Sequence, residues 1–205
     1  MSKRDDVLRG ALEVFASDGY TRGAVDAIAA AAGVSTRTIY NQFGGKAGLF
    51  AATIRHSADA VADAQIEVIR RHLGKIVDLE GDLVAFGLEW VTPLPQFAAH
   101  FALVLQVNAE AAHIPQEALD AWREAGPRRV QREVARHLQQ IGEWGLLEID
   151  DAALAASQLA WLVAGEVDAR SFHGLRPLPA EERERLVVAG VRTFLHGWSP
   201  RPGPS

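Results

Sequence analysis

The chain has 205 residues, with 21 Lys plus Arg against 26 Asp plus Glu, seven His and no Cys, and 48% of it is hydrophobic. That is an ordinary globular composition for one large or two small domains, neither disordered nor collagen-like, with no disulfide framework, zinc–thiolate site or thiol nucleophile. No apolar run reaches about 18 residues and the charged start enters no signal core, so a cytoplasmic protein with no membrane partner is expected, while the net charge of −5 counts at first sight against nucleic acid.

Apolar residues recur at helical spacing almost throughout, which predicts an all-α fold of about nine helices. Val7, Leu8, Ala11, Leu12 and Phe15 stripe a first helix ending near Asp18-Gly19. An Ala-rich segment from Val25 to Ala32 stops at Gly33, and Ser35 offers an N-cap for the next helix. Val34 and Ile39 have the spacing of a hydrophobic staple. Gly44-Gly45 ends that helix and Lys46 opens a long one to about Leu73. Further helices are predicted over 81–91, 95–112, 115–143, 151–170 and 180–197, with Pro127 kinking or splitting the third of these. Asp150-Asp151 supplies an N-cap. Residues 200–205 are expected to be a disordered tail.

Three short helices with a tight Gly33-Val34-Ser35 turn form the pattern of a helix-turn-helix. Gly33 tolerates positive φ, and Ala27, Ala30, Ala31 and Ala32 allow a close crossing. On the third helix, Thr36, Arg37, Tyr40 and Asn41 share one face, with Ile39 and Phe43 opposite. Arg37 suits a bidentate contact to guanine, and Asn41 or Gln42 one to adenine. The hydroxyls of Thr36, Thr38 and Tyr40 can meet phosphate or base edges, and Lys46 adds a charge beside a helix start.

Residues 4–54 resemble the N-terminal domain of TetR/AcrR-type transcriptional regulators. The likeness rests on Arg4, Ala11, Phe15 and Gly19-Tyr20, on Ile28-Ala29 and Ala32-Gly33-Val34-Ser35, and on Thr38-Ile39-Tyr40, Phe43, Lys46 and Leu49. Glu124-Ala125-Gly126-Pro127-Arg128, Trp144-Gly145-Leu146 and Asp150-Asp151 are similar to the C-terminal half of AefR-like members. The resemblance implies a bacterial homodimer that binds a palindromic double-stranded operator and releases it when a small-molecule inducer occupies the C-terminal domain. It divides the chain into a DNA-binding domain over 1–46 and a ligand-binding and dimerisation domain over 47–199. Two positions depart from the pattern: Gly23-Ala24 replaces a hydroxyl-bearing pair before the second helix, and Gln42 stands where His is common. The cap of that helix is then at best the backbone of Gly23.

In the C-terminal part, Trp90, Phe97, Phe101, Trp122 and Trp161 are candidates to line a ligand pocket, with Glu89, His100, Gln106 and Asn108 the nearest polar partners. Each aromatic taken alone also suits a core. Leu154, Gln158 and Leu162 on one helix, with Val187, Val191 and Phe194 on the next, are candidates for an isologous dimer interface, and intramolecular core is the equal alternative.

Catalytic and metal readings find little purchase. Glu110-Ala-Ala-His113 has a di-iron spacing without a second copy, and Gly45-Lys46 lacks the remainder of a phosphate-binding loop. No catalytic residue, metal or cofactor is assigned, and the reading is not an enzyme. The alternatives are a helical enzyme, with or without a metal, and an adaptor whose helix-turn-helix binds protein. The charge divides unevenly: residues 1–56 carry seven basic and five acidic residues, a net +2, and the remainder carries −7. The DNA-facing segment is therefore mildly basic, and the opening objection to nucleic acid falls away.

Overall fold

The computed structural model describes residues 2–172 and 174–199, and every regular element among them is helical. In chain order these are α1 (Lys3–Arg22), α2 (Val25–Ala32), α3 (Thr36–Phe43), α4 (Lys46–Leu73) and α5 (Leu79–Trp90). A single 3-10 turn at Pro95–Phe97 leads into α6 (Ala98–Glu110), α7 (Gln116–Ala125), α8 (Pro127–Glu143), α9 (Ala152–Ser171) and α10 (Ala180–Trp198). Among the described residues ten α-helices stand where about nine were expected, because the 115–143 segment splits at Gly126-Pro127. Gly126 leaves helical geometry at φ −112°, ψ −92°, and Pro127 has no N–H with which to continue α7. The break expected near Gly19 is a kink (φ 76°, ψ −179°), after which one more turn carries α1 to Arg22. The segment 200–205 lies outside the described residues.

Contacts divide the chain into two compact units, Met1–Asp63 with Leu94–Arg129, and Ala64–Pro93 with Val130–Ser205. The division passes through α4 and α8. In the first unit, Phe15 of α1, Ile28 of α2, Ile39 of α3, Phe50 of α4, Leu103 of α6 and Leu119 of α7 belong to one buried cluster. Each such side chain contributes about 1.5–3 kcal/mol when removed from water. The three N-terminal helices therefore share their core with α6 and α7. Phe50 anchors it through edge-to-face contacts with Phe15 and Tyr20, at centroid distances of 5.0 and 4.9 Å.

The second unit packs α5 against α9 and α10. Gly87 permits the approach of α5, since a Cβ there would lie 2.7 Å from Val187 and 2.8 Å from Val163. Gly190 does the same for α10, where a Cβ would collide with the Leu162 carbonyl of α9. Asp151 caps α9 by accepting from the Leu154 N–H at 2.9 Å, as its sequence context predicts. Elsewhere in the unit, hydrogen bonds from Arg136 and Arg70 pull the pKa of Glu133 down to about 2.

Candidate nucleic-acid interface and a cavity with buried polar groups

The turn between α2 and α3 is built by backbone chemistry that its residues dictate. Gly33 is left-handed (φ 65°, ψ 33°), and the Val34 N–H reaches back to the Ala29 carbonyl at 3.0 Å. Ser35 then caps α3, its Oγ accepting from the Thr38 N–H at 3.2 Å. Ile39 is fully buried below, while Arg37, Tyr40, Asn41 and Gln42 are exposed, Tyr40 by 55%. Thr36 and Thr38 are half-buried, and the Thr38 hydroxyl pairs with that of Ser35 at 2.9 Å. Four of the seven sequence-selected side chains thus leave the helix with no buried role in the fold.

Lys46 differs from them. It is half-buried, donates to the Thr21 carbonyl at 2.8 Å and lies 5.3 Å from the Tyr20 ring centroid. Glu110 of α6 meets the same segment, accepting from the N–H and hydroxyl of Thr21 at 2.8 and 3.0 Å. These bonds, led by the Thr21 N–H, hold the Glu110 carboxyl below the usual range. The residue noted for its metal-like spacing therefore ties α6 to the end of α1. The N-cap of α2 is Ala24 rather than Gly23, and it makes no side-chain cap, so the missing hydroxyl is a real difference in this helix.

A second feature of the first unit is a cavity of about 240 Å³ among α1, α4, the 3-10 turn and α6. Leu8, Leu12 and Phe97 give it apolar walls, and Thr53, Ser57 and His100 give it buried polar ones. His100 is 6% exposed, its Nδ1 lies 3.0 Å from the Ser57 hydroxyl, and burial pushes its pKa down to about 4. Sequence reasoning found Phe97 and His100. It missed Thr53 and Ser57, although two hydroxyls four residues apart on an otherwise apolar helix face were the available signal.

The remaining candidates fall in several places. Phe101 is half-buried with its ring 5.4 Å from that of His100, and Trp122 packs against the first unit's core with an unpaired Nε1 among the described residues. Trp90 stacks at a tilt on Phe86 in the second unit, at 5.2 Å. Trp161 is 74% exposed, next in the chain to Leu162, one helical turn from Gln158 and two from Leu154, and all four are exposed on α9. Val187, Val191 and Phe194 of α10 are fully buried inside the protomer, beneath α5 and α9.

This geometry defines a protein of the helix-turn-helix class. A family model of bacterial regulatory proteins of the tetR family matches residues 7–53, and a model of the C-terminal domain of AefR-like transcriptional repressors matches residues 91–200. The chain belongs to the TetR family of transcriptional regulators. A structure described as that of a TetR-family regulator from Mesorhizobium loti MAFF303099 is 27% identical over 97% of both chains, with a TM-score of 0.84. The Flavonoid-responsive Regulator FrrA is 31% identical over 98% of both chains, with a TM-score of 0.71. The HTH-type transcriptional repressor NicS of Pseudomonas putida is 30% identical over 99 residues, a stretch covering 48% of this chain and 46% of that protein. No helix among the described residues is long and apolar enough to cross a membrane.

Proposed function

We propose that this chain is a cytoplasmic, homodimeric repressor that holds a palindromic operator and releases it when a small aromatic or amphipathic effector binds. The observation that carries this reading is α3, whose Ser35 cap and buried Ile39 fix the helix while Arg37, Tyr40, Asn41 and Gln42 stay exposed. Arg37 reads guanine, Asn41 or Gln42 reads adenine, and Thr36, Thr38 and Tyr40 meet phosphate or base edges. Lys46 already uses one donor on Thr21, so its phosphate contact comes from the other two.

Residues 1–46 supply the DNA contacts, and 47–199 supply dimerisation and most of the effector site. For the dimer, support comes from the exposed α9 face of Leu154, Gln158 and Leu162, to which Trp161 adds the largest apolar area. Two recognition helices must sit one or more helical turns apart on the duplex, and a two-fold partner across α9 supplies the second. The name of the 31% identical regulator supports an aromatic effector. The effector acts through its differential affinity for two arrangements of the dimer.

The test is selection of genomic fragments by the purified protein, followed by titration across salt. The expected result is a few two-fold symmetric sites, with binding that falls steeply as salt rises. Uniform retention of all fragments, or no retention, removes the reading.

A further inference from the structure

The cavity beside α1 contains hydroxyls and a ring whose proton directions can be followed one by one. Thr53 donates its hydroxyl proton to the Leu49 carbonyl at 2.8 Å, within its own helix. Ser57 has one proton, and it goes to the Ile54 carbonyl at 3.1 Å. The 3.0 Å contact between Ser57 Oγ and His100 Nδ1 is then donated by the ring, which places the imidazole proton on Nδ1. Ser57 is the ring's sole hydrogen-bond partner among the described residues, which leaves Nε2 with a bare lone pair. The buried polar wall thus consists of acceptors: Nε2 of His100, the remaining lone pair of Ser57, and those of Thr53.

Charge narrows the ligand further. Of the charged and titratable side chains in the lining, Asp5 is held by the Ser2 N–H at 2.8 Å and Arg9 pairs with Asp6, leaving the exposed His56. An anion would face lone pairs, and a cation would find only the exposed carboxylate of Asp5, already bonded to the Ser2 N–H, beside the guanidinium of Arg9. The volume lies below the roughly 300–1,000 Å³ usual for drug-sized ligands, which suits one or two rings. Phe97, Leu8 and Leu12 provide the apolar faces that a ring needs.

We propose that this cavity is a binding site for a neutral hydroxylated aromatic of phenol type, which donates its hydroxyl to His100 Nε2 and lays its ring against Phe97, Leu8 and Leu12. The inference deepens the regulator reading and relies on it for the consequence alone. Because α1 forms one wall, occupancy acts on the first helix of the DNA-binding segment directly.

The experiment titrates the full-length protein, without DNA, with phenol and with toluene, which match in heavy-atom count but differ in the donor. Wild type should bind phenol more tightly, and the phenol-to-toluene affinity ratio should fall about tenfold in His100→Phe, which keeps the ring and removes the acceptor. The imidazole ¹⁵N spectrum of the wild type, which needs no variant to fold, should show a protonated Nδ1 and a bare Nε2 that shifts with phenol alone. Toluene bound as well as phenol, an unchanged ratio in the variant, or a proton on Nε2 each overturns the site. DNA retention is read separately. Phenol binding by a protein that selects no DNA keeps the site and removes the regulator reading, whereas operator binding without phenol preference does the reverse.

Discussion

Among the described residues, each compact unit buries one histidine against α4, and the two are used in different ways. In the second unit, His137 Nδ1 donates to the Leu73 carbonyl at 3.1 Å, and Nε2 lies 2.7 Å from an Arg136 guanidinium nitrogen. Both ring nitrogens are engaged, and burial followed by the Arg136 charge keeps the ring's pKa low. It closes the last turn of α4, where helix carbonyls lack partners of their own. In the first unit, His100 has one hydrogen-bond partner among the described residues, and the residue lines a cavity. Equal burial therefore does not mean equal role. A ring with both nitrogens satisfied is structure, and a ring with one left over is an acceptor waiting for a donor.

The strongest way to break this contrast is to remove each ring. His137→Ala should lose about 3 kcal/mol of unfolding free energy in urea, from the vacated volume and the orphaned Leu73 carbonyl and Arg136. His100→Phe, close in volume, should change stability by under about 1.5 kcal/mol at pH 7.5. Comparable losses from both variants would erase the distinction.

Acid sharpens the same point. The His100 pKa falls from 6.5 to about 4 on folding, so below pH 6.5 the unfolded chain takes up a proton that the native state refuses. That lowers stability progressively between about pH 6.5 and 4, by up to about 3 kcal/mol. His137 acts in the same direction, while Glu133, held down to about 2, contributes stability that is lost only as pH falls below about 4.5. Urea unfolding of wild type and His100→Phe across this range should show a shallower pH slope for the variant. Parallel curves would mean that His100 titrates as an exposed ring.

On the DNA face, Arg37→Ala should cost about 1–3 kcal/mol on the operator and much less on random DNA, with the melting temperature unchanged. An equal loss on both would make Arg37 a backbone contact. Lys46→Ala offers the opposing case within the same unit, because it also removes the tether to Thr21 and should lower both stability and binding. The smallest expected effect is Ala24→Ser, which should stabilise α2 by about 1 kcal/mol through the absent cap and tighten operator binding modestly. No change in thermal stability would show that the open N–H groups of α2 are satisfied by water.

Local chemistry was what the sequence made legible. The cap at Ser35, the left-handed Gly33, the bounds of α4 and the break at Gly126-Pro127 follow from residues within a few positions of one another. The exposed face of α3 follows in the same way. What could not be read is which residues meet across long separations. Leu8 and Leu12 belong to the apolar stripe of α1, and only the fold brings them to the cavity that Ser57 and His100 also line. Depth is hidden for a similar reason. Val187, Val191 and Phe194 form an apolar stripe that could face a second protomer or its own, and α5, seated through Gly87, covers it. Trp161 reads as a pocket aromatic until α9 turns it outward.

Gly19 carries one more implication. It needs its positive φ of 76°, and the space where its Cβ would stand is occupied by the Glu110 carboxylate, with Gln106 close behind. Residues 19 and 110 are therefore a linked pair separated by 91 positions. Among relatives of this chain, any side chain at the position of Gly19 demands a shorter partner at the position of Glu110, and that trade gives up the bonds to Thr21. Counting paired changes at these two sites would sort the family into members that clasp α6 to the end of α1 and members that leave it unclasped.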